Sequence, residues 1–492
     1  MKAYIHKSIL IATVFLSASL LSQNPVSFEE YFLNKSMRID FYITGDANQE
    51  IITLDKIYEQ GIWAGNPEKL FDVYGRGRYL AKVYDVASNT LVFSKGFGTI
   101  FGEYQDTEPS QKGISKSFHN TVIIPYPQRP VLFVIEKSDK RNITHPVFEE
   151  EIDPGAIGII KEAANQSDRV YEAIRNGDPH KKVDLAFIAE GYTADNFDKF
   201  KKDLDRWTAV MFSVEPYKRL RQKFNVYGVF RPSQENGVDQ PEKGIFKNTI
   251  LNASYNALGT PRYLLSDDNK TLRDIASRVP YDALVILANI ERYGGGGIYN
   301  SYCIFTSDDT LSGHILLHEF GHSFANLGDE YYSSDVAYTD WFPRGVEPVE
   351  PNITRLLVPG QIKWQHMVSE GIEIPTPWDK AVYDSLPKER DRYKAEMDKK
   401  ISQAADAGSG EDELKKLKED RANTVRNYSK RLSKFILEHP LRDKVGAFEG
   451  AGYSSEGIYR PMINCLMFSN SELRFCKVCE ESIGRVIDHY SE

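Results

Sequence analysis

Cysteine is scarce in this chain, with four residues in 492, so at most two disulfides can form, in three alternative pairings. A hydrophobic run long enough to span a bilayer is also missing. The nearest approach, Ile9 to Leu21, follows Lys2 and Lys7 and ends at polar Ser22-Gln23-Asn24, the layout of a cleaved signal peptide over residues 1–22. No cysteine follows that run, so a lipid-modified N-terminus is not expected. Basic residues form no stripe and the net charge is −9, which argues against nucleic acid as a partner. The glycine run Gly294 to Gly297 lacks a following Lys-Ser/Thr pair and is no phosphate loop. No segment reads as an inhibitory pro-region.

What remains is a globular composition, 41% hydrophobic and 27% charged, in a chain long enough for two or three domains. Its densest chemistry lies in SGHILLHEFGHSFANLGDEYY, residues 312–332. His318-Glu319-Phe320-Gly321-His322 is a His-Glu-x-x-His pattern. On a helix, residues four apart share a face, so both imidazoles can bind one zinc ion at about 2.0 to 2.1 Å. Glu319 sits beside that face, where a general base belongs. Ser312 is placed to cap the helix, and Ile315, Leu316, Phe320 and Phe324 supply apolar flanks.

A catalytic zinc needs three protein ligands and one open position. Asn326-Leu327-Gly328-Asp329 is built to end the helix and reverse the chain, which brings Asp329 back as the third ligand. Glu330 is the alternative, reached by one more residue of turn. His314, one turn upstream, belongs beside the ligands or at the cleft rim.

Along the chain, residues 25–152 alternate as short strands, among them Arg38 to Ile43, Tyr79 to Val86, Thr121 to Ile124 and Val131 to Ile135. They predict an all-β sandwich without a catalytic cluster of its own. Residues 153–180 read as a linker with an amphipathic helical run around Ile160 to Ile174. From 181 to 492 the texture is α/β. Strands are expected at Val183 to Ala189, Phe224 to Phe230 and Asp282 to Ala288, with helices at Asp195 to Phe212 and Arg273 to Arg278. Ile298 to Phe305 reads as a strand bordering the cleft; Tyr302 and Ile304 on it are candidate substrate-binding residues that would pair with an extended peptide. Residues 378–439 predict an inserted, charged, antiparallel helical hairpin, read first as a solvated spacer and alternatively as a substrate-gating arm. Near the C-terminus, Cys465-Leu466-Met467 looks like a methionine turn, with Met467 as an apolar floor beneath the metal. Tyr453 and Tyr459, just before it, are alternative oxyanion stabilisers. Cys476 and Cys479 form a lone Cys-x-x-Cys. With no second pair a metal site is not expected there, and a disulfide from Cys465 to one of them is.

HEFGHSFANLGDEY, with CLM at 465–467 and FCKVC at 475–479, resembles the IgA-peptidase-like bacterial zinc metallopeptidases across residues 25 to 492. The resemblance implies an N-terminal β domain, an α/β zincin (metzincin-like) catalytic domain, one catalytic Zn2+ on His318, His322 and Asp329, Glu319 as base and Met467 as turn methionine. The expected function is a secreted or periplasmic, cell-envelope endopeptidase of bacterial origin. It would act on extended polypeptide or glycoprotein, including immunoglobulin or mucin-like substrates, with no membrane association after signal cleavage. Two other readings compete: a cell-envelope adhesin with a structural metal, and a zinc amidase acting on cell-wall peptide.

Overall fold

A computed structural model describes residues 26–161, 165–332 and 342–491. The expected signal peptide lies outside the described residues. Among the described residues no helix is long and apolar enough to cross a membrane.

The N-terminal module holds two antiparallel sheets. One is three-stranded, with Phe32–Gly45 between Glu50–Gln60 and Lys116–Pro127. The other is four-stranded, in the order Thr90–Phe97, Tyr79–Asp85, Val131–Ser138, Thr144–Ile152. Period-two alternation sends Ile39, Phe41 and Ile43 from the first sheet and Ala81, Val83, Phe133 and Ile135 from the second into one shared core. Arg38, fully buried, leaves this module as a clamp. It pairs with Asp40 on its own strand and with Asp274 of the catalytic part. Arg76 donates to the Ala325 carbonyl at 3.0 Å, placing a cation at the C-terminal end of the helix that carries His318 and His322.

The catalytic part is built on a six-stranded sheet in the order Gly295–Ile298, Tyr302–Thr306, Ala283–Ala288, Val183–Glu190, Phe224–Phe230, Arg169–Ile174. The four inner strands are parallel and both outer ones antiparallel. Along Val183–Glu190, Leu185, Phe187 and Ala189 enter one core while Ala186 and Ile188 enter another, so both faces are covered. Helices Phe197–Met211, Ser312–Ala325 and Lys477–Tyr490 pack on the first face, and Asn269–Ala276 packs on the second.

Three local expectations are corrected. The helical run expected around Ile160 to Ile174 is not helical in its described residues: 162–164 lie outside them, 165–168 form a turn, and Arg169–Ile174 is a strand. Val170, Tyr171 and Ile174 suit a pleated edge, and Phe224–Phe230 offers an open one to pair with. The single strand expected from Ile298 to Phe305 is a hairpin, Gly295–Ile298 turning into Tyr302–Thr306. Ser312 does not cap its helix. Asp309 fixes that turn by accepting from the Leu311 and Ser312 backbone N–H groups, and Leu311 is the cap.

The helical hairpin forms from Lys380–Asp406 and Glu411–Glu438, joined at Ala407 to Gly410. Arg421–Asp398 and Arg431–Glu389 ion pairs tie its arms. Its base is more than a spacer: Tyr383 packs on Phe435 and Phe468, so the arms stand directly on the segment around Met467.

Candidate metal centre

Helix Ser312–Ala325 ends at Asn326, whose φ of 48° and ψ of 42° reverse the chain as expected of an Asn at a helix end. The turn is then held from outside. Buried Asn352 accepts from the Gly328 N–H at 2.7 Å and donates to the Gly328 carbonyl at 2.9 Å. The result brings His318, His322 and Asp329 together. The two Nε2 atoms are 3.1 Å apart, and Asp329 Oδ1 lies 3.0 Å from that of His318 and 3.3 Å from that of His322. Three donors around one ion at about 2.0 to 2.2 Å are separated by a little over 3 Å, so this triangle fits a metal.

The donor chemistry fits as well. Each imidazole turns Nδ1 to a main-chain carbonyl, His322 to Leu327 at 2.6 Å and His318 to Leu466 at 3.4 Å, which leaves Nε2 free for the ion. Asp329 Oδ1 is buried and has no hydrogen-bond donor among the described residues, while Oδ2 accepts from the Tyr453 hydroxyl. Burial alone would lower the His322 pKa. The Asp329 carboxylate outweighs it and lifts His322 to about 9 when no ion is bound. Asp329, for its part, is held well below the usual carboxylate range by the two imidazoles despite its burial.

Glu319 faces the same cleft, and burial raises its pKa, as suits a proton acceptor beside the ligands. The glycine run explains how it is seated. Gly295 and Gly297 press the edge strand against the helix so closely that a Cβ on Gly297 would overlap the Glu319 carbonyl. Met467 is fully buried beneath the same helix; a Cβ on Gly321 would lie 3.1 Å from its sulfur. His314 stacks toward His318 with ring centroids 5.5 Å apart and lines the cleft, its pKa lowered to about 3 by burial and by His318.

Other expected residues fall elsewhere. Tyr302 and Ile304 sit on a strand whose two edges are both paired, and they are 2% and 0% exposed; the Tyr302 hydroxyl donates to the Ser266 carbonyl. No substrate can pair there, and the cleft is lined instead by Gly297 and Ile298 of the neighbouring edge strand. Tyr459 lies on a strand bonded to Thr354, and the Tyr453 hydroxyl is committed to Asp329. Glu330 points away from the imidazoles, into a group with Cys465, Cys476 and Cys479. All four cysteines are free, and the Cys465 and Cys479 sulfurs are 3.8 Å apart, far beyond a bond of about 2.0 Å.

The cleft encloses about 1110 Å³. Its walls come from three sources: the catalytic part, the hairpin base through Leu432 and Ile436, and the N-terminal module through Thr99, Glu103 and Asp106. Glu103 had no signal in the sequence. Burial lifts its pKa to about 7 against the pull of a Tyr263 hydrogen bond and of His322. Arg262 and Tyr293 line the cleft and act electrostatically on Glu319. Asn352 likewise carries no signal, because its partners, the Gly328 main chain and the Glu330 carboxylate, lie 22 to 24 residues away in sequence.

Among curated proteins none matches the chain. Two family models do: Peptidase M64 N-terminus over residues 27–149, and IgA Peptidase M64 over residues 172–487. The second covers well over half the sequence and contains every member of the donor triangle, so the chain belongs to the IgA peptidase M64 family and is a peptidase of the metallo type.

Proposed function

We propose that this protein is a secreted, zinc-dependent endopeptidase that cuts extended polypeptide or glycoprotein chains, with a β-sandwich module joined to a zincin-type catalytic domain. The observation that carries the proposal is the open triangle of His318 Nε2, His322 Nε2 and Asp329 Oδ1 lining a large cleft. A zinc ion held there supplies a Lewis acid that lowers the pKa of water and polarises a carbonyl. Glu319 takes the proton of the attacking water on its carboxylate and returns it to the leaving amine nitrogen. Tyr453 holds Asp329 in place through Oδ2. Arg262 and Tyr293, lining the cleft near Glu319, offer donors to the carbonyl oxygen of the scissile bond. The cleft of about 1110 Å³ and the glycine edge strand that lines it suit an extended substrate, an immunoglobulin or a mucin-like glycoprotein among them.

A structural site in an adhesin would be closed by a fourth protein ligand, whereas this triangle opens on the cleft. Zinc content and cleavage of an unbiased peptide library, measured for wild type and Glu319→Ala, test the proposal. The variant is expected to keep zinc and fold and to lose turnover by about 10²-fold or more. Undiminished cleavage by Glu319→Ala removes the mechanism, and cleavage of cell-wall peptide alone replaces it with the amidase reading.

A further inference from the structure

The richest group of ligating side chains outside the cleft lies directly behind it. Cys465 comes from the methionine turn, Cys476 and Cys479 from the start of helix Lys477–Tyr490, and Glu330 from the residue after Asp329. All are 0% or 1% exposed. One donor atom from each lies within 4.8 Å of all the others. Cys465 Sγ is 3.8 Å from Cys479 Sγ, and Glu330 Oε1 is 3.7 Å from Cys476 Sγ and 3.3 Å from Cys479 Sγ.

A tetrahedral zinc with bonds of about 2.3 Å to sulfur and about 2.0 to 2.2 Å to oxygen sets sulfurs about 3.8 Å apart, with sulfur and oxygen about 3.5 Å apart. The Cys465–Cys479 sulfur separation equals the first value, and the two sulfur–oxygen separations lie on either side of the second. We propose that Cys465, Cys476, Cys479 and Glu330 form a second, structural zinc site, closed by four protein ligands and distinct from the catalytic triangle.

Independent features point the same way. Main-chain N–H groups of Met467 and Cys476 donate to Cys465 Sγ at 3.5 and 3.2 Å, and that of Cys479 donates to Cys476 Sγ at 3.4 Å. Such donors stabilise sulfur that carries negative charge. Glu330 turns Oε1 toward the sulfurs of Cys476 and Cys479, while its other oxygen, Oε2, is buried and has no hydrogen-bond partner among the described residues, so the carboxylate is left without full satisfaction. Asn352 donates to Oε1 at 3.0 Å, as a second contact to a ligating carboxylate would. Fully buried Arg460 acts electrostatically on Glu330 and offsets the excess negative charge of three thiolates and a carboxylate. A disulfide uses two sulfurs and leaves the third, with Glu330, buried to no purpose.

Loading such a site releases to solvent the protons that the thiols and the buried Glu330 carboxyl carry and involves no electron transfer. Its place in the fold gives it a task. The Glu330 N–H donates to the Met467 carbonyl at 2.9 Å, and the Leu466 carbonyl accepts from His318. An ion at the cluster therefore staples the segment bearing Asp329 to the turn supporting His318 and to the C-terminal helix.

The test is elemental analysis of full-length protein purified with zinc, alongside His318→Ala/His322→Ala, Cys465→Ser and Glu330→Gln. Wild type is expected to hold two zinc ions per chain. The double histidine variant should hold one, and Glu330→Gln should bind the second ion more weakly. Cys465→Ser should lose the second ion; because that substitution also disturbs a fully buried position, cobalt(II) reconstitution of the double histidine variant gives a second readout: a strong thiolate-to-cobalt charge-transfer band and tetrahedral d–d bands. A folded double histidine variant that carries no zinc and shows no such band overturns the site, as does a disulfide to Cys465 found by mass spectrometry. One zinc in wild type that survives loss of both histidines supports the sulfur site and counts against the catalytic triangle, so the two readings fail separately.

Discussion

Gly297→Ala is the substitution with the clearest consequence. The added methyl carbon would overlap the Glu319 carbonyl oxygen and lie 3.1 Å from both the Glu319 carbonyl carbon and His322 Cβ. These are main-chain atoms and a Cβ of a buried helix, so no side-chain rotation relieves the overlap. Carbon and oxygen in contact stay at least about 3.3 Å apart, so helix Ser312–Ala325 and strand Gly295–Ile298 must separate by about 1 Å. Overpacking of this kind costs about 1 to 3 kcal/mol of stability. The functional effect should be larger than the stability loss. Metal ligands tolerate about 0.2 Å of error, and a displacement of 1 Å at a catalytic group costs about 10²-fold in rate. Thermal unfolding, zinc content and peptide cleavage are compared with Gly61→Ala, where an added Cβ meets nothing within 4 Å. Wild-type zinc affinity and turnover in Gly297→Ala would refute the claim that the glycine strand sets the position of Glu319 and His322.

Other outcomes follow from the same contacts. Tyr453→Phe removes the hydroxyl that donates to Asp329 Oδ2 and is expected to weaken zinc binding by about 10- to 100-fold, while Tyr459→Phe leaves it unchanged in a chelator competition. In the metal-free protein His322 keeps its proton up to about pH 9, and zinc must displace that proton. Apparent zinc affinity should therefore climb about tenfold per pH unit from 7 toward 9 and then level off; a flat profile would show that His322 is not a ligand. Glu103 stays protonated to about pH 7 in the folded protein but ionises near its ordinary value when unfolded. Its contribution to stability is thus lost as pH rises toward 7, and Glu103→Gln should flatten that slope in denaturant titrations without changing zinc content.

The parts of the molecule that the sequence discloses are those whose chemistry is local. His318, Glu319 and His322 are four or fewer residues apart, and Asn326 marks the reversal by its tolerance of a left-handed backbone. The strands of the N-terminal module and the central strands Val183–Glu190 and Phe224–Phe230 show in their patterns because burial imposes period two or an unbroken apolar run. Strand Gly295–Ile298 was hidden for the opposite reason. Glycine has little preference for a sheet, and this strand exists because only glycine lets it approach the metal helix. A single strand over residues 298–305 would put the substrate edge at Tyr302 and Ile304, one strand further into the sheet than the edge that Gly295–Ile298 forms. Glu103 and Asn352 act across long sequence separations on groups with no motif, so no spacing could reveal them.

The choice between Asp329 and Glu330 as third ligand had no answer in the sequence, and the fold supplies a physical reason. Both are buried carboxylates just past the reversal, and either type would serve a metal. Neighbouring residues outside a helix send their side chains in different directions. Asp329 meets the imidazoles on the cleft side, and Glu330 meets the three sulfurs behind it. The same dipeptide therefore feeds two groups of donors of different softness, nitrogen and oxygen in front, sulfur and oxygen behind. A rigid rear group fixes Glu330, and through one peptide bond it limits how far Asp329 can stray from the two imidazoles. Exchanging the pair, Asp329→Glu with Glu330→Asp, moves each carboxylate by one methylene in opposite senses. It should weaken metal binding at both places, although composition and net charge are unchanged.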